Sequence, residues 1–152
     1  MNSLPFQEGD FVWCAFPERE NPAQPGPLHI GYTVIVSGAA LPTSPPPSAF
    51  IAYTTSQPWP PGTPLPIGVL AFNQAEASRY GQSRAFVMDL RRVAFLPVTP
   101  AWFPHLDKSG HGVQGRAPKA DQRRFRRMAE DLVARHAELV ERLGPLWPRP
   151  RH

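Results

Sequence analysis

Short runs of apolar and β-branched residues alternate, over roughly the first hundred positions, with breaks rich in proline and glycine. Runs of this length bounded by turn residues predict β-strands. The runs are 10–16, 28–37, 49–55, 67–72, 84–90 and 92–98. The last two of these runs predict either two strands or one long bent strand. Short strands separated by such breaks favour a barrel or sandwich over a sheet built from βαβ units.

The pattern changes near the C-terminus, where apolar residues recur at i, i+3, i+4 and i+7, as in an amphipathic helix. We expect a helix over about 121–143, capped by Asp121 and ended by Gly144. Residues 99–119 are expected to form a loop, and residues 144–152 a flexible tail. The apolar positions are Phe125, Met128, Ala129, Leu132, Val133, Leu139, Val140 and Leu143.

Length and composition favour one domain over residues 1–152, with the strands in a unit of about 9–98. The 21 prolines predict long rigid connections between short elements. Cys14 lies in an apolar run and is expected to be a core residue in a reducing compartment. Because neither a signal-like start nor a long apolar run occurs, we expect a cytoplasmic protein with no membrane partner. The net charge of +4 is compatible with a polyanionic partner without requiring one.

The first strand, GDFVWCAFP at 9–17, resembles the GD-[IL]-[VI]-W-V-D-F-x-P strand that begins toxins of the MazF/PemK/Kid family. Further matches occur in the family's order: the loop ENPAQPG, YTVIVS at 32–37, AYTTSQ at 52–57 and DLRRV at 89–93. The resemblance covers about residues 9–98. It implies a mainly β fold with a C-terminal α-helix, an SH3-like β-barrel of the MazF/PemK/CcdB type.

The resemblance also implies a function. Members of this family cleave RNA without a metal, through attack of a ribose 2′-OH on the adjacent phosphate. This chemistry needs a proton acceptor, a proton donor for the leaving 5′-oxygen, and a cation or amide donors for the charge on phosphorus. The chain is therefore expected to be a toxin-like endoribonuclease of single-stranded mRNA, without a cofactor, that forms a homodimer and is neutralised by an antitoxin protein.

The strand match implies the catalytic residues. Thr54 takes the family's hydroxyl position, whereas Gly31 stands where the family has an arginine. His29 lies two positions before Gly31, so in an extended strand it points to the same face about 7 Å away. Because imidazole titrates near neutrality, His29 is the candidate base or phosphate ligand. Arg19 in the preceding loop is another candidate for the missing cation, and the alternative is that His29 and Thr54 are ordinary strand residues.

Several neighbouring residues are candidates for substrate binding. Thr55 and Ser56 offer hydroxyls to a phosphate, although both also suit a strand and the turn after it. Trp59 and Trp102 beside proline-rich loops are candidates for stacking on unpaired bases, or else they cover the rim of the core.

A basic cluster lies near the C-terminus, formed by Arg123, Arg124, Arg126 and Arg127. It either contacts phosphates or forms a solvated helix face with i,i+4 ion pairs. No metal site is expected, since His105 and His111 have no ligand-spaced partner other than Asp107.

Two other functions remain open. The vacant arginine position favours a catalytically inactive barrel that binds RNA or protein. Exposed aromatic residues favour, more weakly, an adaptor for proline-rich or strand-forming peptides.

Overall fold

The computed structural model describes residues 4–35 and 46–147. The β-strands are β1 (Asp10–Ala15), β2 (Leu28–Val34), β3 (Ser48–Thr55), β4 (Val69–Phe72), β5 (Phe86–Pro97), β6 (Val113–Arg116) and β7 (Glu141–Leu143). The α-helices are α1 (Gln74–Ser78) and α2 (Lys119–Arg135), and 3₁₀ helices cover Ser109–Gly112 and Ala137–Leu139. The strand predicted over 28–37 ends at Val34, and its last two positions lie outside the described residues.

The strands form one curled, half-barrel sheet in the order β4-β5-β3-β2-β1-β6, in which neighbours run antiparallel. β7 adds to β5 in parallel. The curl brings β6 to the turn after α1, where the Gln82 Nε2 donates to the carbonyls of Gln114 (2.9 Å) and Tyr80 (3.1 Å). The predicted mainly β fold with a helix near the C-terminus is confirmed.

β5 is one long bent strand, which decides between the two structures predicted for residues 84–98. Its register with β3 shifts between Ala52, opposite Val93, and Tyr53, opposite Asp89. Residues 90–92 therefore form a bulge, the kind of irregularity that bends a strand and redirects its side chains.

The sheet has a core on each side, because side chains alternate between the faces of a strand. On the helix face, α2 buries Phe125 and Leu132 against aromatic residues such as Phe11 and Tyr32. Full burial of each of these two side chains stabilises the fold by about 1.5–3 kcal/mol. On the opposite face, here called the loop face, Cys14 and Ile51 pack with residues that include Trp102 and Phe103.

The predicted helix 121–143 is wrong in its extent. α2 begins after Pro118 without a side-chain cap, and the Asp121 carboxylate instead accepts a hydrogen bond from the Tyr80 hydroxyl at 2.9 Å. It ends at Arg135, and β7 carries Leu143 into the loop-face core. Of the expected docking residues, Phe125 and Leu132 are buried, whereas Val133 and Leu139 are 37% and 40% exposed.

The segments on either side of α2 are more ordered than a loop and a tail. The 99–119 loop contains β6, whose residues pair with β1 at the edge of the sheet. Trp147 packs on Phe50 and Phe95, and its Nε1 donates to the Val93 carbonyl at 3.2 Å. Positions 148–152 of the expected tail lie outside the described residues. Among the described helices, none has the length and apolar character needed to cross a membrane.

Candidate functional site

Two depressions meet where β2 begins and β3 ends. The first, here called the His29 cleft, has a volume of about 180 Å³ and is lined by Phe16, Pro17, Glu18, Arg19, Glu20, Pro27, His29, Tyr53 and Arg92. The second, the Trp13 groove, has a volume of about 580 Å³. Its lining includes Trp13, Ile30, Thr54, Thr55, Ser56, Gln82, Ser83, Arg84 and Gln114. His29 contributes to both depressions.

The strand register places the predicted catalytic residues on opposite faces of the sheet. Gly31 pairs with Tyr53, and side chains alternate along each strand. His29, Tyr53 and Thr55 therefore share the loop face. Ile30 and Thr54 share the helix face. His29 and Thr54 line one groove from different sides and do not face each other.

Thr54 is only 6% exposed, and its hydroxyl donates to the Ile30 carbonyl. This bond leaves the hydroxyl with acceptor capacity only. Thr55 is half-buried, and its hydroxyl oxygen accepts from the Gln57 amide at 3.2 Å, which leaves its proton available. Of the two threonines, Thr55 is the one suited to donate to a phosphate beside His29.

The Gly31 position has no space for the arginine of the resembled family. A Cβ there would lie 2.2 Å from the Ile51 Cγ2 and 3.3 Å from the Cys14 Sγ. The surrounding side chains belong to the loop-face core, and burial raises the pKa of the Cys14 thiol to about 12, so this sulfur is inert. A phosphate-binding cation must come from elsewhere in the chain.

Arg92 supplies a cation in the His29 cleft. Its Cζ lies 4.0 Å from the centroid of the Tyr53 ring and 5.8 Å from that of Phe16. Its Nε is buried and makes no hydrogen bond to any described residue. Sequence reasoning missed this residue, because its position beside Tyr53 depends on the pairing of β3 with β5, in which the next residue, Val93, lies opposite Ala52.

Two neighbouring ion pairs leave Arg92 without a carboxylate partner in the part of the chain that the structure describes. Arg91 next to it binds both Asp89 oxygens at 2.9 Å. Glu141 lies opposite Arg92 in the β5–β7 register, yet its two oxygens accept from Arg19 at 2.6 Å. Arg19 thus forms a wall of the cleft as half of an ion pair and does not act as the free cation.

The electrostatics of the cleft favour a neutral imidazole. Burial lowers the pKa of His29, and the nearby Arg92 charge lowers it further, while Glu18 acts in the opposite direction. The ring lies against Tyr53 with 5.4 Å between centroids. At neutral pH His29 therefore has a free nitrogen that can accept a proton.

The remaining predicted binding residues lie away from this point. Trp59 is half-buried and lines neither depression, and Trp102 is buried in the loop-face core. In α2, Arg126 binds both oxygens of Glu8, and Arg135 pairs with Asp131 at 3.1 Å. The described residues contain no cluster of three or more histidine, cysteine or acidic side chains that could hold a metal ion.

No protein-family model matches the chain, and no curated protein matches it in sequence.

Proposed function

We propose that the protein is a metal-independent endoribonuclease whose active centre is the His29 cleft. The observation that carries this proposal is the proximity of a partly buried arginine, which no carboxylate of the described residues binds, to a histidine whose pKa is lowered. The resemblance in the strand segments supports the same activity, and with it an SH3-like barrel of the MazF/PemK/CcdB type.

The groups present account for the demands of RNA transesterification. His29 takes the proton of the 2′-OH as its oxygen attacks phosphorus, and the bond from phosphorus to the 5′-oxygen breaks. Arg92 and the Thr55 hydroxyl bind the non-bridging oxygens, where charge develops. The leaving 5′-oxygen receives a proton from solvent in this open cleft. The products are a 2′,3′-cyclic phosphate and a 5′-hydroxyl.

The surroundings of the cleft suit an extended polyanion. None of the side chains that line the adjoining Trp13 groove is a carboxylate, and the chain has a net charge of +4. A single strand crossing the ends of β2 and β3 contacts both depressions. A homodimer and an inhibitory antitoxin protein belong to the same proposal and rest on the resemblance. The proposed cytoplasmic location rests on the composition of the chain, with its single cysteine.

Purified protein should cut a mixed-sequence RNA in EDTA and leave 2′,3′-cyclic phosphate ends. His29→Gln should lower the rate at least about a hundredfold, because it removes the proton acceptor. His136→Gln, at the end of α2, is the matched control and should retain wild-type activity. If RNA binds to the wild-type protein but stays intact, the result would instead support a non-catalytic RNA-binding barrel. The lack of space for an arginine side chain at Gly31 favours this alternative.

A further inference from the structure

The floor of the Trp13 groove is a row of side chains across three strands. Trp13 pairs with Ile30, and the Thr54 hydroxyl is bound to the Ile30 carbonyl, so the row is fixed by strand pairing. Trp13 is half-buried on this row, and its other neighbour is the His105 ring at 5.9 Å. An indole held in this way offers a rigid stacking surface.

One wall of the groove is a preorganised set of polar groups. The Gln82 amide is held by two donated hydrogen bonds, which leaves its oxygen as an acceptor. Ser83 and Gln114 lie beside it. Arg84 is exposed at the same wall and makes no ion pair or hydrogen bond to a described residue. Among the described residues, this wall offers neutral polar groups, one free cation and no carboxylate, a combination that matches a nucleobase with its phosphate.

We infer that the Trp13 groove binds an unpaired RNA base beside the scissile phosphate, with Trp13 as the stacking surface and Arg84 as a phosphate ligand. The inference rests on the proposed function, because the Trp13 groove would select the nucleotide that is presented to the His29 cleft. Stacking on an aromatic ring tolerates every base, and the fixed Gln82 amide then discriminates between their edges.

The test uses 2′-O-methyl RNA hexamers, one of each base, which cannot be cleaved because the nucleophile is blocked. Binding is measured by fluorescence anisotropy at several salt concentrations. We expect the four affinities to differ, Trp13→Leu to weaken binding at least about tenfold, and Arg84→Ala to reduce the salt slope by about 0.7. Arg135→Ala, at an exposed arginine of α2 that pairs with Asp131, is the matched control and should bind like wild type.

Thermal melting shows whether each variant is folded, and Trp13→Phe, which retains a ring, should bind within about threefold of wild type. Arg84 is exposed, so its variant keeps the test valid if Trp13→Leu does not fold. Equal affinities of wild type and Arg84→Ala with an equal salt slope would overturn the inference, as would a loss in Arg135→Ala equal to that in Arg84→Ala.

The two proposals fail separately. If natural RNA is cut by wild type and at the same rate by folded Trp13→Leu and Arg84→Ala, the groove assignment is wrong and the nuclease stands. If the hexamers bind through Trp13 and Arg84 while natural RNA stays intact, the groove assignment stands and the nuclease is wrong.

Discussion

The two faces of the sheet at the ends of β2 and β3 differ in their chemistry. The loop face carries an imidazole and, in Arg92, a guanidinium that no described carboxylate binds, in a narrow cleft. The helix face carries the floor of a wider groove, whose lining is mostly neutral but includes Arg84 and the shared His29. One residue of spacing along β3 separates the two faces, since Thr54 and Thr55 point to opposite sides. The proposed charge-stabilising centre and the proposed recognition surface thus lie next to each other without competing for space.

The largest expected effect comes from filling the loop face at Gly31. The sequence resemblance predicts that Gly31→Arg restores a cation and raises activity. The structure predicts unfolding instead, with a loss of about 3 kcal/mol or more, because the new Cβ would overlap Ile51. Thermal denaturation measures the loss, and Gln57→Arg on the exposed turn after β3 is the matched control. A folded, more active Gly31→Arg would contradict this account of the loop face.

The next effect concerns the cation of the cleft. Arg92→Ala should slow cleavage about a hundredfold or more, which corresponds to roughly 2.7 kcal/mol of transition-state stabilisation. Arg92→Lys should recover part of this loss, because lysine restores the positive charge but lacks the planar guanidinium that can donate two parallel hydrogen bonds. Single-turnover rates in EDTA test both variants. If Arg92→Ala cleaves RNA at the wild-type rate, the active centre does not lie on the loop face.

The adjacent threonines sharpen the comparison most directly. Thr55→Val should reduce cleavage about tenfold, roughly 1.4 kcal/mol, with unchanged thermal stability. Thr54→Val should instead lower the free energy of unfolding by about 1 kcal/mol, through loss of the bond to the Ile30 carbonyl, and leave the chemical step intact. Measuring both quantities on both variants decides the assignment. If Thr54→Val instead slows cleavage and Thr55→Val instead lowers stability, Thr54 supplies the catalytic hydroxyl.

The smallest effect is the titration of His29. Its folded pKa is lowered, so the unfolded chain binds the proton more strongly. The contribution of His29 to stability is thus complete above pH 6.5 and declines as pH falls through its folded pKa. Cleavage should keep its full rate down to below pH 6.5 for the same reason. Proton NMR should show the His29 pKa rising in Arg92→Ala while staying below 6.5, because burial is the larger cause. An unchanged value would place Arg92 too far from the imidazole.

Local pattern was sufficient to predict the first five strands and insufficient for the C-terminal third of the chain. β1 to β5 were predicted because short runs of apolar and β-branched residues, bounded by proline and glycine, indicate strands buried on both faces. The helix was extended too far because Leu139 and Leu143 continue the helical spacing by coincidence, in a 3₁₀ turn and in β7. β6 was missed because VQGR has no apolar alternation and is held by pairing with β1.

The candidate site was predicted in part for a related reason. His29, Thr55 and Ser56 were identified from the sequence and do line the depressions. The sequence did not reveal that His29 and Thr54 lie on opposite faces of the sheet, because the register between strands fixes the face on which a side chain lies. Arg92 comes to lie beside Tyr53 through the pairing of β3 with β5, which no local sequence pattern indicates.

The ion pair between Arg19 and Glu141 joins positions 122 residues apart and fixes a wall of the cleft. The Gly144 amide also donates a hydrogen bond to the Pro22 carbonyl at 2.7 Å, which holds the loop between β1 and β2 that contains Arg19. During translation a growing chain therefore lacks this wall until β7 has been made. The proposed RNA-cleaving centre is therefore completed only with the last described strand, so a nascent chain would not carry it while its own message is still being translated.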